Sequence, residues 1–326
     1  MTGRPGLIKK NIRDEVPAPA HPFERKEPLP GYQPKPKSED PEGPEKIEAL
    51  LNSPSYRPSI EDLDFLNGDD MRGVRLMLDY IKPNKVLEEY GVKSAIVVFG
   101  SARIVEPVAA KHRVEQLRDE LLQSPENEDL RKRLLIAERI LAKCHYYEIA
   151  REFSRLVASF GNGPKDTSLV IVTGGGPGIM EAANRGASEA GAKTVGLNIN
   201  LPHEQFPNPY VSPELCFQFH YFALRKMHFL MRAKALIAFP GGFGTMDELF
   251  ETLTLIQTRK IKPLPVVLVG EAYWRKVFDI DFMVEEGVID EEDRELFWYA
   301  ETARDVWDGL LCWHEQNGET IIGNNQ

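Results

Sequence analysis

The chain has 326 residues, of which 42% are hydrophobic and 28% charged, and its formal net charge is −10. This length fits one large domain with extensions or two small domains, and the hydrophobic fraction is that of a globular protein with a core. The acidic balance argues against a general nucleic-acid-binding protein, which needs a basic face, but it leaves room for a local basic pocket that binds one nucleotide.

Targeting and redox features are sparse. No apolar run reaches the roughly 18 residues that a transmembrane helix needs, and the charged, proline-containing start lacks the apolar segment of a secretory signal. Cys144, Cys216 and Cys312 are scattered and lack metal-ligand spacing, which is typical of reduced thiols. We therefore expect a cytoplasmic protein with no membrane, nucleic-acid-polymer, metal or cofactor partner.

The beginning of the chain differs in composition from the rest. Residues 1–45 hold 10 of the 24 prolines among charged side chains, which predicts a flexible tail or an arm laid on a partner subunit. Residues 46–91 carry apolar side chains at helical spacing and predict a helical N-terminal extension of two or three helices. We expect the main domain over 92–290 and a C-terminal helical segment over 291–326.

The main domain alternates short apolar runs with amphipathic stretches. This pattern predicts an α/β fold with a Rossmann-like, doubly wound parallel sheet that is covered by helices on both faces. The predicted strands are 94–99, 169–173, 194–198, 215–219, 235–239 and 265–269. The predicted helices are 106–160 with a break near 123–129, 179–190, 224–232, a helix ending near 258, 273–284 and 303–316.

Three of these strands run into glycine turns, at Gly100-Ser101, Gly174–Gly178 and Gly241–Gly244. Ligands of open parallel sheets bind at the carboxyl ends of strands near a topological switch point, so two adjacent turns there would share one phosphate. In the third turn, glycines permit close approach and positive φ, and a helix start aims free N–H groups at a ligand. Thr245 and Glu248 add a hydroxyl and a carboxylate.

Glycine turns also occur where no phosphate binds. A single one often marks only tight packing between strand and helix. The spacing of the dinucleotide fingerprint and the Gly-Lys-Ser/Thr of a P-loop are both absent, which disfavours a dehydrogenase and a P-loop NTPase. Arg225 and Lys226 lie on the helix before the third turn's strand, where they serve either as phosphate ligands or as a solvated helix face.

Three segments resemble the "lonely guy" family of cytokinin riboside 5′-monophosphate phosphoribohydrolases, long mislabelled as lysine decarboxylases. They are Gly-Gly-Gly-Pro-Gly-Ile-Met-Glu-Ala-Ala-Asn-Arg-Gly-Ala at 174–187, Arg225-Lys226, and Pro-Gly-Gly-Phe-Gly-Thr-Met-Asp-Glu at 240–248. The resemblance covers about residues 94–285. It implies a homodimer or larger homo-oligomer with sites near the subunit interface.

The resemblance also implies site residues. Arg225 and Glu248 are the predicted catalytic pair. The predicted substrate- and phosphate-binding residues are Ser101, Gly175, Gly176, Gly178, Met180, Glu181, Lys226, Gly241, Gly242, Gly244 and Thr245.

The predicted reaction is hydrolysis of the N-glycosidic bond of a cytokinin-type or purine nucleoside 5′-monophosphate to free base and ribose 5-phosphate. Glu248 would stabilise the oxocarbenium-like ribose, and Arg225 would polarise the leaving base. Asp247 is the alternative acid, although it points to another helix face. The extension of about 90 residues, the charged insertion near 120–135 and the first turn, Phe99–Arg103, resemble longer bacterial members.

Three alternatives stay open. The first is a non-catalytic nucleotide-binding or carrier protein, because the same fold serves ligand sensors and a molybdenum-cofactor carrier. The second is a lysine decarboxylase, which needs a Schiff-base lysine such as Lys226 or Lys234. The third is a vestigial core whose N-terminal arm is an interaction module.

Overall fold

The computed structural model describes residues 16–160, 163, 165–201 and 206–322. The chain divides into two compact units at Met71 and Arg72. In the first unit, the described residues before 43 form neither helix nor strand, and two helices follow: α1 (Gly43–Leu51) and α2 (Leu63–Asn67). Residues 1–15, the first part of the predicted tail, lie outside the described residues.

The second unit contains a seven-stranded sheet. Its strands are β1 (Ser94–Phe99), β2 (Leu169–Thr173), β3 (Thr194–Ile199), β4 (Cys216–Phe219), β5 (Ala233–Ala238), β6 (Val266–Val269) and β7 (Trp298–Ala300). The order is β4-β3-β2-β1-β5-β6-β7, and every neighbouring pair is parallel. The predicted doubly wound parallel sheet is confirmed, and its topological switch point lies between β1 and β5.

Ten helices surround this sheet in the described part of the second unit. They are α3 (Arg72–Glu89), α4 (Pro107–Gln123), α5 (Glu128–Leu141), α6 (His145–Ala158), α7 (Ile179–Glu189), α8 (Phe222–Met231), α9 (Phe243–Gln257), α10 (Glu271–Val277), α11 (Ile280–Glu285) and α12 (Ala303–Gln316). None of these helices is long and apolar enough to cross a membrane.

The sheet has a hydrophobic core on each face. On one face Ile96 and its neighbours pack with Phe153 of α6 and Trp307 of α12. On the other face Val97 packs in a cluster with Phe229 of α8 and with residues of α3, α9 and α10. Successive residues of one strand thus pack against the helices on opposite faces of the sheet. Burial of each large apolar side chain stabilises the folded state by about 1.5–3 kcal/mol. These two layers hold the carboxyl ends of the strands rigidly.

The structure differs from the sequence prediction at three places. β7 was not predicted, because a strand of three residues is too short to show a recognisable hydrophobic pattern. The predicted helix over 273–284 breaks into α10 and α11, where the Asp279 side chain accepts the Phe282 N–H at 3.1 Å. A turn over 142–144 divides the stretch predicted as one helix from 134 to 160, although it contains neither glycine nor proline. The break near Pro125 is confirmed.

Candidate functional site

The three glycine turns meet at the switch point. The Ser101 N–H donates to the Pro240 carbonyl oxygen at 3.0 Å, and the Ile179 N–H donates to the Ser101 carbonyl oxygen at 3.2 Å. The turn after β1 therefore lies between the turns after β2 and β5, and the latter two are not direct neighbours.

A cleft of about 550 Å³ opens beside these turns, at the carboxyl ends of the strands. Seven of the predicted site residues line it: Ser101, Met180, Arg225, Gly242, Gly244, Thr245 and Glu248. Residues that were not among the predicted site residues also line it, among them Gly174, Asn198, Leu201, Phe222 and Phe243. Phe243 is 96% exposed and Phe222 52% exposed, so the cleft combines a polar floor with aromatic side chains accessible to a ligand.

Glu248 is the acid of this cleft. It lies in the second turn of α9 and is only 7% exposed. Burial raises the pKa of its carboxyl to about 7, and the nearby positive charge of Arg225 opposes part of that rise. Within the described residues no group donates a hydrogen bond to the carboxyl. A buried acid that titrates near neutral pH and faces a cleft is a common feature of catalytic sites.

Arg225 provides the positive charge. Its Nε donates to the Leu197 carbonyl oxygen at 2.7 Å and its Nη2 to the Gly174 carbonyl oxygen at 3.5 Å. Its guanidinium also lies 5.3 Å from the ring centroid of Phe229. Burial lowers the pKa of Arg225, and Glu248 partly offsets this. Arg225 is therefore anchored to the ends of β2 and β3 and remains a cation beside Glu248.

The helix that carries Arg225 is capped from a distant part of the chain. Asp79 of α3 accepts the backbone N–H groups of His220 and Tyr221, at 2.8 and 3.0 Å. These groups precede α8, whose own N-cap residue makes no side-chain cap. A carboxylate at a helix N-terminus satisfies free donors and favours the helix dipole. Helix α3 thus helps to fix the position of Arg225.

The turn after β2 is shaped by its glycines and by one asparagine. Gly175 and Gly178 have φ of +72° and +73°, and a Cβ on Gly178 would overlap the Ser101 carbonyl oxygen. The Asn208 N–H donates to the Gly175 carbonyl oxygen at 2.8 Å, and its Nδ2 donates to that of Gly176 at 3.0 Å. These glycines do not line the cleft themselves, since Gly174 alone of this turn does so. The sequence pattern gave no sign of the role of Asn208.

The turn after β5 has a different geometry. The expectation of positive φ there is wrong: none of its glycines has positive φ, and Gly242 is extended at φ −98°. A glycine is required at position 241, because the Cβ of any other residue there would overlap the Thr245 side chain. Gly242 and Gly244 face open space. α9 begins without a side-chain cap, so its first N–H groups are available to an anion in the cleft.

Two glycine substitutions distinguish a glycine that the fold requires from one that affects ligand binding. We expect Gly178→Ala to lower the free energy of unfolding by about 2–5 kcal/mol, because it combines backbone strain with a steric clash. Gly242→Ala has room and ordinary φ, so stability should change by no more than about 0.5 kcal/mol. Its methyl group stands beside the cleft and should weaken binding of a phosphate group at the start of α9. Thermal unfolding and calorimetric titration measure the two effects, and equal stability losses would contradict this distinction.

Several predicted residues lie outside the cleft. The Lys226 ammonium pairs with Asp247 at 2.9 Å and with Glu251 at 3.0 Å. Glu181 accepts a hydrogen bond from the Tyr147 hydroxyl at 2.9 Å. Lys234 pairs with Glu319 at 3.8 Å. No lysine among the described residues lines the cleft, so neither candidate Schiff-base lysine is available there.

Fold and site together define a Rossmann-like α/β protein with an uncapped helix start, a half-buried arginine and a buried glutamate in one cleft. A family model described as "Possible lysine decarboxylase" matches residues 180–310. The cytokinin riboside 5′-monophosphate phosphoribohydrolase LOG3 of Arabidopsis thaliana is 30% identical over 151 residues, 45% of this chain and 68% of the relative. The chain belongs to this family of phosphoribohydrolases.

Two further similarities do not by themselves show the family. The rice protein named "Probable cytokinin riboside 5′-monophosphate phosphoribohydrolase LOGL5" is 32% identical over 146 residues, 44% of this chain and 56% of the relative, so the chain spans little more than half of that relative's length. The molybdenum cofactor carrier protein of Chlamydomonas reinhardtii matches 68% of this chain and 99% of its own, with TM-score 0.39 and 19% identity. The fold assignment depends on the sheet order itself.

Proposed function

We propose that the protein hydrolyses the N-glycosidic bond of a purine or cytokinin-type nucleoside 5′-monophosphate and releases the free base and ribose 5-phosphate. One observation carries this proposal: the Glu248 carboxyl and the Arg225 guanidinium line the same cleft as the uncapped start of α9. The cleft thus offers an anion site, an acid and a cation at once. Family membership supports the same reaction.

The 5′-phosphate would bind at the start of α9, with Gly242, Gly244 and the Thr245 hydroxyl around it. Free N–H groups and the helix dipole favour an anion at this position. Holding the phosphate there fixes the ribose relative to the buried acid, which lowers the entropic cost of reaching the transition state.

Glu248 and Arg225 would divide the chemistry. As the bond from C1′ to the base nitrogen breaks, positive charge develops on the ribose and negative charge on the base. The Glu248 carboxylate stabilises the former and orients the water whose oxygen bonds to C1′. Arg225 stabilises the departing base electrostatically, and the proton released by the water ends on that base. Arginine stays protonated, so it acts as a fixed charge.

The test is a hydrolysis panel on the full chain. We expect base and ribose 5-phosphate to form from AMP or isopentenyladenosine monophosphate, and the same assay should include GMP, CMP, UMP and the free nucleosides. Nucleosides should react poorly, because they lack the phosphate that positions the ribose. Tight nucleotide binding without any base release would instead support the non-catalytic carrier.

The working assembly that we propose is a homodimer in the cytoplasm. An open groove of about 530 Å³ runs along α8 and α9, with the apolar side chains of Met227, Met231 and Leu255 among its walls. Apolar surface on the two helices that carry Arg225 and Glu248 favours an interface near the site. The free thiols of the three cysteines fit a reducing compartment. Light scattering coupled to size-exclusion chromatography measures the mass.

A further inference from the structure

A second cavity, of about 300 Å³, lies against the turn after β5. Gly241, Gly242 and Tyr273 belong to one wall, and α5 with the residues just after it forms another. The Tyr273 hydroxyl donates to the Gly241 carbonyl oxygen, which fixes the turn on this side. The α4–α5 hairpin, in which the charged insertion lies, thus contributes directly to the surroundings of the predicted phosphate turn.

Three cationic side chains line this cavity: Arg103, Arg139 and Lys143. None of them forms an ion pair with a described residue, and Lys143 donates only to the Arg139 carbonyl oxygen, at 3.1 Å. No carboxylate among the described residues lines the cavity. Two other arginines of the same hairpin are ion-paired: Arg118 with Glu138 at 2.6 Å and Arg131 with Glu128 at 2.7 Å. Three unpaired cations around one cavity, in a chain of net charge −10, favour an anionic ligand.

The cavity adjoins the cleft. Ser101, Arg103 and Gly242 line both. Gly242 has no side chain, and nothing lies within 4 Å of the position its Cβ would take. A group attached to a phosphate at the start of α9 therefore has space to pass Gly242 toward Arg139 and Lys143. Arg103 lines both the cleft and the cavity, so it belongs to the surroundings of both phosphate positions.

We propose that Arg103, Arg139 and Lys143 form a second phosphate subsite, next to the site of the nucleotide's 5′-phosphate. It binds a phosphate group supplied either by the β-phosphate of a nucleoside 5′-diphosphate or by free inorganic phosphate. The placement of the first phosphate rests on the proposed function. The cations supply charge-assisted hydrogen bonds, which are the strong kind for phosphate.

The test compares Kd values for AMP and ADP by calorimetry, at one ionic strength and in a Glu248→Gln background that consumes no nucleotide. We expect tighter binding of ADP than of AMP, and we expect Arg139→Ser with Lys143→Ser to raise the Kd of ADP about tenfold more than that of AMP. Inorganic phosphate is titrated separately into both proteins. Phosphate binding that requires Arg139 and Lys143, without an ADP preference, identifies free phosphate as the source.

Lys132→Ser with Arg133→Ser is the matched control. It removes one lysine and one arginine from α5, the helix that carries Arg139, and neither lines the cleft or the cavity. The proposal is overturned if ADP shows no preference and phosphate does not bind, or if the control pair changes both Kd values as much as the test pair does. Base release from AMP by the unmodified chain is measured separately, so failure of the proposed function is distinguishable from failure of this subsite.

Discussion

Glu248→Gln should abolish most hydrolysis and spare binding: we expect kcat for AMP to fall about 10³-fold while the Kd for AMP stays within about twofold. Glutamine keeps the shape of the side chain but can neither carry the negative charge that stabilises the ribose cation nor accept a proton from water. Burial raises the pKa of this carboxyl to about 7, so near neutral pH a substantial part of the parent protein already carries an uncharged group there. Chromatography of released adenine and calorimetric titration provide the two measurements.

Asp247→Asn is the matched control for this prediction. Asp247 is the neighbouring acid, it lies outside the cleft, and its carboxylate pairs with Lys226 on the surface. A surface ion pair contributes little, so its loss should change kcat by no more than about twofold. Undiminished adenine release by Glu248→Gln would contradict a catalytic role of Glu248. So would a loss of kcat in Asp247→Asn that is larger than the loss in Glu248→Gln.

The pH dependence of the same group has a definite sign. An acid whose pKa is raised from 4.5 to about 7 by burial is protonated below that pH. Since the carboxylate is the active form in the proposed mechanism, kcat/KM should rise between about pH 6 and 8 and then level off. Stability should follow the opposite course: the folded state holds the proton more tightly, and this stabilisation is lost as pH rises from 4.5 through 7. Glu248→Gln should therefore melt higher than the parent at pH 8.

The central site residues could be predicted because local pattern specifies them. A run of apolar residues ending in Pro240-Gly241-Gly242 predicts both a buried strand and a turn into a helix, and Glu248 follows at helical spacing. Parallel strands bring their carboxyl ends to one edge, so the chain order alone is enough to expect Ser101, Arg225 and Glu248 near one another. All three line the cleft.

The supporting residues could not be predicted, because their partners are distant along the chain. Asp79 caps the start of α8 from about 140 residues upstream, and Asn208 binds the turn after β2 from a loop with no regular pattern. The conformation of each glycine also depends on neighbours that only the fold brings together. Gly178 has positive φ and the first turn packs on it, whereas Gly242 faces open space.

Replacing the cation should reveal its electrostatic role. For Arg225→Met we expect kcat/KM for AMP to fall about 10²- to 10³-fold, since the charge that stabilises the departing base is lost. Arg225 also lowers the pKa of Glu248, so the acid limb of the pH–rate profile should move above pH 7. A profile measured from pH 5 to 9 detects both changes. An unchanged midpoint would show that the two groups do not interact in the working protein.

Stability loss is the competing explanation for such a result. Removing Arg225 leaves the Leu197 and Gly174 carbonyl oxygens without their donor, which costs about 1–3 kcal/mol for each buried group left unpaired. Arg232→Met removes a comparable arginine donor away from the cleft, because the Arg232 Nε donates to the Val92 carbonyl oxygen at 3.2 Å and its Nη2 pairs with Glu88 at 3.6 Å. Both variants should melt at a lower temperature than the parent. Only Arg225→Met should move the midpoint of the pH–rate profile, because that shift requires the loss of a charge close to Glu248. A loss of stability alone does not produce it.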